Sequence, residues 1–366
     1  MRVAIVLPFP VFGAAEDYAL LLAHGLIRCD VDVVVVHDTD VALPSRPTGP
    51  PVPHHPVPGR ELRHIPSLTR HLRRLGPDIV HVNQVFLPGM AAGARTRHAL
   101  VVVTAHNPAV RPAYSKRGAI LARWAARRMS AWIVLTPRNA VLLSAEPSLE
   151  PRRIHVIPPG LPTGRFDQPM SRVEARSLLG LSADAYVVGT VGRLAKQKRH
   201  DLLIRAASIC ATDIEELRLV IFGEGELRSE TESLADDLLP DRVVFAGQQP
   251  DVPRLLPAID VFCLTSDYEG LSFALLEAMA TGLPIVATDV QGSGEALTDG
   301  RTGLLAPAGS ADGIASAISR LHADPDRAAA IGRRARETYM AHYTDDLMVE
   351  RTMSLYGSLI DETNRT

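Results

Sequence analysis

The chain has 366 residues, 46% hydrophobic and 22% charged, enough for two globular domains and too apolar for disorder. Aromatic residues make up 5%, too few for a base-stacking nucleic-acid surface. The net charge of −2 hides an asymmetry: residues 1–165 carry 20 Lys and Arg against 10 Asp and Glu, and the remainder carries 19 against 31. A basic half followed by an acidic half suits two domains with different partners.

Short β-rich apolar runs alternate with helical patterns from the start. The opening "MRVAIVLPFP" has too short an apolar run for a signal peptide and reads as a first strand. Further strands are predicted at Val31–His37, Ile79–Val82, Leu100–Thr104, Trp132–Leu135 and His155–Ile157, after a first one at Val3–Leu7. The second half repeats the pattern at Tyr186–Val191, Arg218–Phe222, Arg242–Ala246, Val261–Leu264, Pro284–Ala287 and Gly303–Leu305. Such Val/Ile/Leu runs belong to strands buried on both faces of a parallel sheet. Helices are expected between them, among them Asp17–Ile27, Asp201–Cys210 and Phe273–Thr281. The economical architecture is α/β: two doubly wound domains in series.

Three segments interrupt this rhythm. Leu43–Gly59, "LPSRPTGPPVPHHPVPG", is expected to be a long surface loop. Residues 60–80 place Leu62, Ile65, Leu68, Leu72 and Leu75 at helical spacing among arginines and histidines. A basic amphipathic helix of this kind could lie on an anionic membrane, but Pro66 interrupts it and a core-facing helix is preferred. The Pro/Gly-rich stretch at Pro158–Pro169 marks the domain boundary, giving domains at 1–163 and 164–343 and a C-terminal helix at 344–366. No run approaches the roughly 20 apolar residues of a membrane span. Cys29, Cys210 and Cys263 sit in apolar contexts without metal-ligand spacing, so reduced core thiols and a cytoplasmic location are expected.

Ligands of doubly wound sheets bind beyond the carboxyl ends of the strands, so the following turns carry the chemistry. Arg193 and Lys198, in "GRLAKQKRHDLLIRA", can face one anion, and a planar fork beside a mobile ammonium suits a diphosphate. "IFGEGELRSE" has Gly223 and Gly225 but Arg228 where a dinucleotide turn needs its third glycine, which disfavours a nicotinamide dehydrogenase. Those glycines suit a close backbone approach to a nucleotide. In "SDYEGLSFALLEAMATGLPIVATD", Glu269 falls in a turn and Glu277 just over one turn into a helix whose N-terminus attracts anions. Carboxylates beside an anion-attracting helix end fit a ligand bearing both phosphate and vicinal hydroxyls. Asp38-Thr39-Asp40 follows a strand and is read as strand-end solvation, and His54 and His55 lack a third ligand, so no metal site is expected.

The segment from Glu269 to Pro307, together with "GRLAKQK…LLIRA", "IFGEGEL" and "VVFAGQQPDVPRLLPAIDVFCLTS", resembles the family-4 retaining glycosyltransferases (glycosyltransferases group 1) in order and spacing. The resemblance is strong over about Tyr186–Leu321 and looser before it. It implies the GT-B fold, two Rossmann-like domains facing across a cleft, with acceptor bound by the first and nucleotide sugar by the second. It also implies that the C-terminal helix crosses back to the first domain. Glu277 would hold the ribose, and Glu269 a hydroxyl of the donor sugar. The backbone N–H groups of Gly270, Leu271, Ser272 and Phe273 would face sugar and phosphates. Arg193 and Lys198 would neutralise the diphosphate leaving group without a metal or other cofactor. In the first domain Gly13 would approach the donor phosphate, His106 the donor sugar near the reacting centre, and Glu16, His106 and Asn107 the acceptor. Ala14, Pro159 and Pro162 depart from the family pattern. A UDP-linked donor and a soluble hydroxyl acceptor, such as a specialised metabolite, are expected, with weak peripheral membrane contact through the basic first domain as an added feature. A membrane-surface enzyme acting on a lipid-linked acceptor, a nucleotide-sugar epimerase and a non-catalytic nucleotide-sugar binder are the competing readings. Acceptor-dependent donor consumption separates transfer from the epimerase and the non-catalytic binder.

Overall fold

The computed structural model describes residues 1–7, 14–39, 51–59, 61–106 and 115–365. The chain divides into two compact units, Met1–Gly160 with Asp345–Thr366, and Leu161–Thr344. The first is built on strands β1 (Arg2–Val6), β2 (Asp32–His37), β3 (His54–Pro56), β4 (Ile79–Asn83), β5 (Leu100–Ala105), β6 (Ala131–Val134) and β7 (Ile154–Val156). They form one parallel sheet in the order β3-β2-β1-β4-β5-β6-β7. The second unit contains β8 (Tyr186–Val191), β9 (Leu217–Phe222), β10 (Val243–Gly247), β11 (Val261–Leu264), β12 (Ile285–Thr288) and β13 (Leu304–Ala306). Its sheet, also parallel, runs β10-β9-β8-β11-β12-β13.

The apolar runs explain both sheets. Val33 to Val36 and Val101 to Val103 are nearly inaccessible, as strands covered on both faces must be. Helix Phe273–Thr281 occupies the predicted residues and ends on Gly282 at φ 73°, the left-handed cap glycine adopts readily. The C-terminal helix Asp345–Arg365 packs into the first unit. Arg28 donates to Asp345 at 2.6 Å, and the Tyr356 hydroxyl meets His81 Nδ1 at 2.5 Å inside the core.

Four expectations need correction. The proline segment is not wholly loop: His54–Pro56 pairs with β2 as the sheet's edge strand, the position where proline's missing N–H costs least. Pro66 does not interrupt the basic helix but sits in the first turn of Ile65–Leu75, where a backbone N–H would have no intrahelical partner and its absence costs nothing. Cys29 is exposed beyond the end of helix Ala14–Arg28, while Cys210 and Cys263 are buried. Asp38 is buried rather than solvated, accepting from Gly59 N at 3.3 Å and from Thr39 Oγ1 at 3.3 Å. Asp40 lies outside the described residues.

Candidate functional site

In the second unit the winding reverses between β8 and β11, whose successors lie on opposite sides. Crossover helices diverge at such a reversal and leave a crevice beyond the strand carboxyl ends. Arg193 and Lys198 follow β8; Glu269, Gly270, Leu271 and Ser272 follow β11; Glu277 lies in the next helix. The second-unit residues singled out by sequence thus flank one topological switch point.

The two turns are stitched together. Thr265 Oγ1 lies 3.1 Å from the carbonyls of both Lys198 and Arg199, Gln197 Nε2 donates to Tyr268 O at 2.7 Å, and Asp267 N donates to Gln197 O at 2.9 Å. Arg199, at φ 51°, pairs with Asp201 at 3.0 Å and Asp267 at 2.9 Å. Hydrogen bonds to Asp201 and then Asp267 push its pKa above the ordinary arginine value. The turn after β9 packs on the same turn: Gly223 adopts φ +133°, and a Cβ there would lie 2.0 Å from Gly192 O. That glycine lets the turn after β9 approach the turn after β8.

Charged groups are paired inside this crevice. Lys198 Nζ contacts Glu269 Oε1, which also accepts from Ser266 Oγ at 2.7 Å. Arg165 Nη1 lies 2.8 Å from Glu277 Oε1, with side chains 18% and 9% exposed. Arg193 is exposed and makes no hydrogen bond or ion pair among the described residues. Helix Phe273–Thr281 begins at Ser272, whose side chain gives no cap, and its first turn has no acidic residue. The uncapped N–H groups and nearby cations favour an anion, while the two carboxylates can accept from hydroxyls. Arg165 is the member that sequence reasoning missed: it sits in the Pro/Gly stretch read as a linker, and no local pattern announces its long-range ion pair.

The first unit has the same reversal between β1 and β4. His106, at the end of β5, meets Asn83 Oδ1 through Nε2 at 2.8 Å, while Asn83 Nδ2 donates to Ala15 O at 2.8 Å. The amide nitrogen is thus committed, so Asn83 presents its oxygen to His106 and the proton sits on Nε2. Nδ1 is left with its lone pair. Desolvation lowers the His106 pKa to about 3, so the ring is neutral, and Tyr18 packs edge-on to it with centroids 4.9 Å apart. Glu16 is buried and accepts from Gln84 Nε2 at 3.3 Å. Gly13 and Asn107 lie outside the described residues.

Among the described residues, no three His, Cys, Asp or Glu side chains converge as metal ligands. His54 and His55 form separate pairs, with His37 and with His71, each at 3.0 Å.

Comparison with known proteins bears on this site. Residues 172–338 match the family model "Glycosyl transferases group 1", and residues 15–165 match "Glycosyltransferase Family 4". The lipopolysaccharide core biosynthesis mannosyltransferase LpsB of Rhizobium meliloti is 30% identical over 64% of this chain and 67% of its own length. The lipopolysaccharide core biosynthesis glycosyltransferase LpsE of the same organism is 34% identical over 50% of this chain, which spans 53% of that relative. Among solved structures, Anabaena HepE in complex with UDP and glucose superposes with TM-score 0.84 at 19% identity, covering 98% of this chain and all of that one. At that identity the likeness speaks for the fold, and each unit is one Rossmann-like half of the GT-B fold.

Proposed function

The chain belongs to the group 1 glycosyltransferases, and we propose that it transfers a sugar from a nucleotide diphosphate, uridine by preference, to an acceptor hydroxyl with retention at the anomeric carbon. One observation carries this reading: Lys198 and Glu269, from the turns after β8 and β11, are in contact at the switch point. A paired cation and carboxylate at that place fit a ligand whose phosphates draw Lys198 away while a sugar hydroxyl takes its place on Glu269.

The roles follow from chemistry. Arg193, exposed and unpaired among the described residues, and Lys198 neutralise the negative charge that grows on the departing diphosphate, and the uncapped helix start adds N–H donors. Glu277 accepts from the ribose diol, held by Arg165. Neutral His106 offers its Nδ1 lone pair to a hydroxyl of the donor sugar, a task an imidazolium could not perform. Glu16 serves the acceptor side, with Gly13 and Asn107 assigned there or to the donor by family resemblance alone. In the retaining reaction, the leaving phosphate oxygen takes the acceptor proton on the face from which it departs, and no side-chain nucleophile is required.

Two relatives are named for lipopolysaccharide core biosynthesis, and another, of Streptomyces kanamyceticus, is named as a 2-deoxystreptamine glucosyltransferase. A soluble small molecule and a lipid-anchored glycan therefore both stand as acceptor classes. The test is UDP release from UDP-glucose with delipidated core oligosaccharide, intact lipopolysaccharide or neither. Acceptor-dependent release and an axial anomeric product by NMR support transfer with retention. Release that needs no acceptor contradicts it. Donor interconversion without release means an epimerase, and binding without turnover a non-catalytic protein.

A further inference from the structure

Arg199 holds a backbone angle that arginine rarely takes. It stands between the short turn Lys196–Lys198 and helix His200–Cys210 with φ 51° and ψ 46°, in the left-handed region that favours glycine. Strain of this kind persists where the surroundings over-determine it. The Arg199 fork grips Asp201 twice, from Nε to Oδ1 at 3.0 Å and from Nη2 to Oδ2 at 3.1 Å, and its Nη1 donates to Asp267 Oδ1 at 2.9 Å. Asp201 lies in the first turn of the helix and Asp267 in the turn after β11, so one side chain ties together the two turns of the crevice. The Arg199 carbonyl is held as well, accepting from Leu202 N at 3.0 Å and from Thr265 Oγ1 at 3.1 Å.

The bridge sits beside the central pair of the crevice. Lys198 immediately precedes Arg199, and Glu269 follows Asp267 by two residues, so the bridge flanks the contact between Lys198 and Glu269 on both chains of the crevice. In the proposed function Lys198 leaves Glu269 for a phosphate. That exchange is confined to a side chain only if the backbone on both sides stays in place. The Lys198 stem runs beside Gly192, where a Cβ would lie 3.5 Å from its Cδ and Cε, so the reach of the ammonium depends on how the turn is set.

We propose that Arg199 is a positioning residue of the donor site: its bridge to Asp267 fixes the turn after β8 against the turn after β11, so that Lys198 meets the diphosphate on a backbone already in place. This role rests on the donor site proposed above. A turn that must be ordered at the moment of binding weakens affinity. Lysine cannot substitute, because one ammonium lacks the planar fork that reaches two carboxylates.

The experiment compares UDP and uridine binding to the full chain by calorimetric titration, with the thermal unfolding midpoint read alongside. Uridine lacks the diphosphate and reports on the nucleoside side alone. Arg199→Gly relaxes the backbone angle while removing the bridge, and its midpoint stays within about 3 °C of wild type. Its UDP affinity falls about tenfold and its uridine affinity changes less than about twofold. Arg199→Lys loses as much UDP affinity although it keeps the charge. Asp267→Ala breaks the bridge while removing a negative charge from the crevice, and UDP still binds about fivefold more weakly. Unchanged UDP affinity in Arg199→Gly overturns the proposal. So does wild-type affinity in Arg199→Lys with tighter UDP binding by Asp267→Ala, which would reduce Arg199 to a charge. A joint fall of UDP affinity, uridine affinity and midpoint also overturns it, since that pattern is loss of structure. Equal affinity of wild type for UDP and uridine refutes the donor site itself, and the role of Arg199 falls with it.

Discussion

Replacing Arg165 with alanine removes a cation that pairs with Glu277, a carboxylate 9% exposed, at 2.8 Å. Breaking a buried pair by deleting one member costs about 3–5 kcal/mol, and the 18% exposure of Arg165 admits enough water to place this loss near the lower end, about 3 kcal/mol. For a unit of this size that lowers Tm by roughly 6–12 °C. Glu277→Gln removes the charge while keeping the shape, so Arg165→Ala should cost far less in that background. A double-mutant cycle by urea unfolding should therefore return a coupling of about 1–3 kcal/mol. UDP affinity should fall about tenfold in Arg165→Ala, because a carboxylate free to rotate loses part of its hold on the ribose diol. A coupling within 0.5 kcal/mol of zero (roughly the error of additivity), with unchanged UDP affinity, would refute the idea that Arg165 positions Glu277.

Glu277→Ala should weaken UDP-sugar binding about 10- to 100-fold, from one or two lost charge-assisted hydrogen bonds, read by calorimetric titration. Lys198→Ala should lower kcat about 10²- to 10³-fold with a smaller change in KM, since its charge matters most as the diphosphate departs; equal loss in both parameters would reassign it to ground-state binding. Gly223→Ala, with Gly192 O 2.0 Å from the new Cβ and φ at +133°, should destabilise the second unit by at least 2 kcal/mol, checked by urea unfolding. Burial lowers the pKa of both His81 and His106 to about 3, below the ordinary value of 6.5, so the unfolded chain binds the extra protons. Stability is therefore full above pH 6.5 and falls as pH drops toward 3, by about 2 kcal/mol per histidine at pH 5. Equal unfolding midpoints at pH 7.5 and pH 5.0 would contradict that reading.

Much of this was legible in the residues. Uninterrupted valine runs marked the strands because a doubly covered strand tolerates little else, and "GLSFALLEAMATGLP" announced its helix through apolar spacing and a terminal glycine. β3 stayed hidden because Pro56 and the prolines around it argue against a strand, and its place at the sheet edge makes them tolerable. Asp38 looked like a solvated strand end, but the loop it holds through Gly59 N folds back from a distant segment. Arg165 and the contact between Lys198 and Glu269 arise from pairings far apart in sequence, where local spacing carries no signal. The switch point itself was invisible until the strand order was known.

The central claim is that the cations after β8 and the glutamates after β11 hold a nucleotide diphosphate. A thermal-shift panel of UDP, GDP, ADP and TDP with their sugars, with and without EDTA, tests it most directly. The account predicts that UDP and its sugars, at 100 times their dissociation constant, stabilise wild type by about 2.7 kcal/mol whether or not EDTA is present. It predicts that Glu277→Ala loses most of this shift. Stabilisation by no nucleotide, or an undiminished shift in Glu277→Ala, would contradict it.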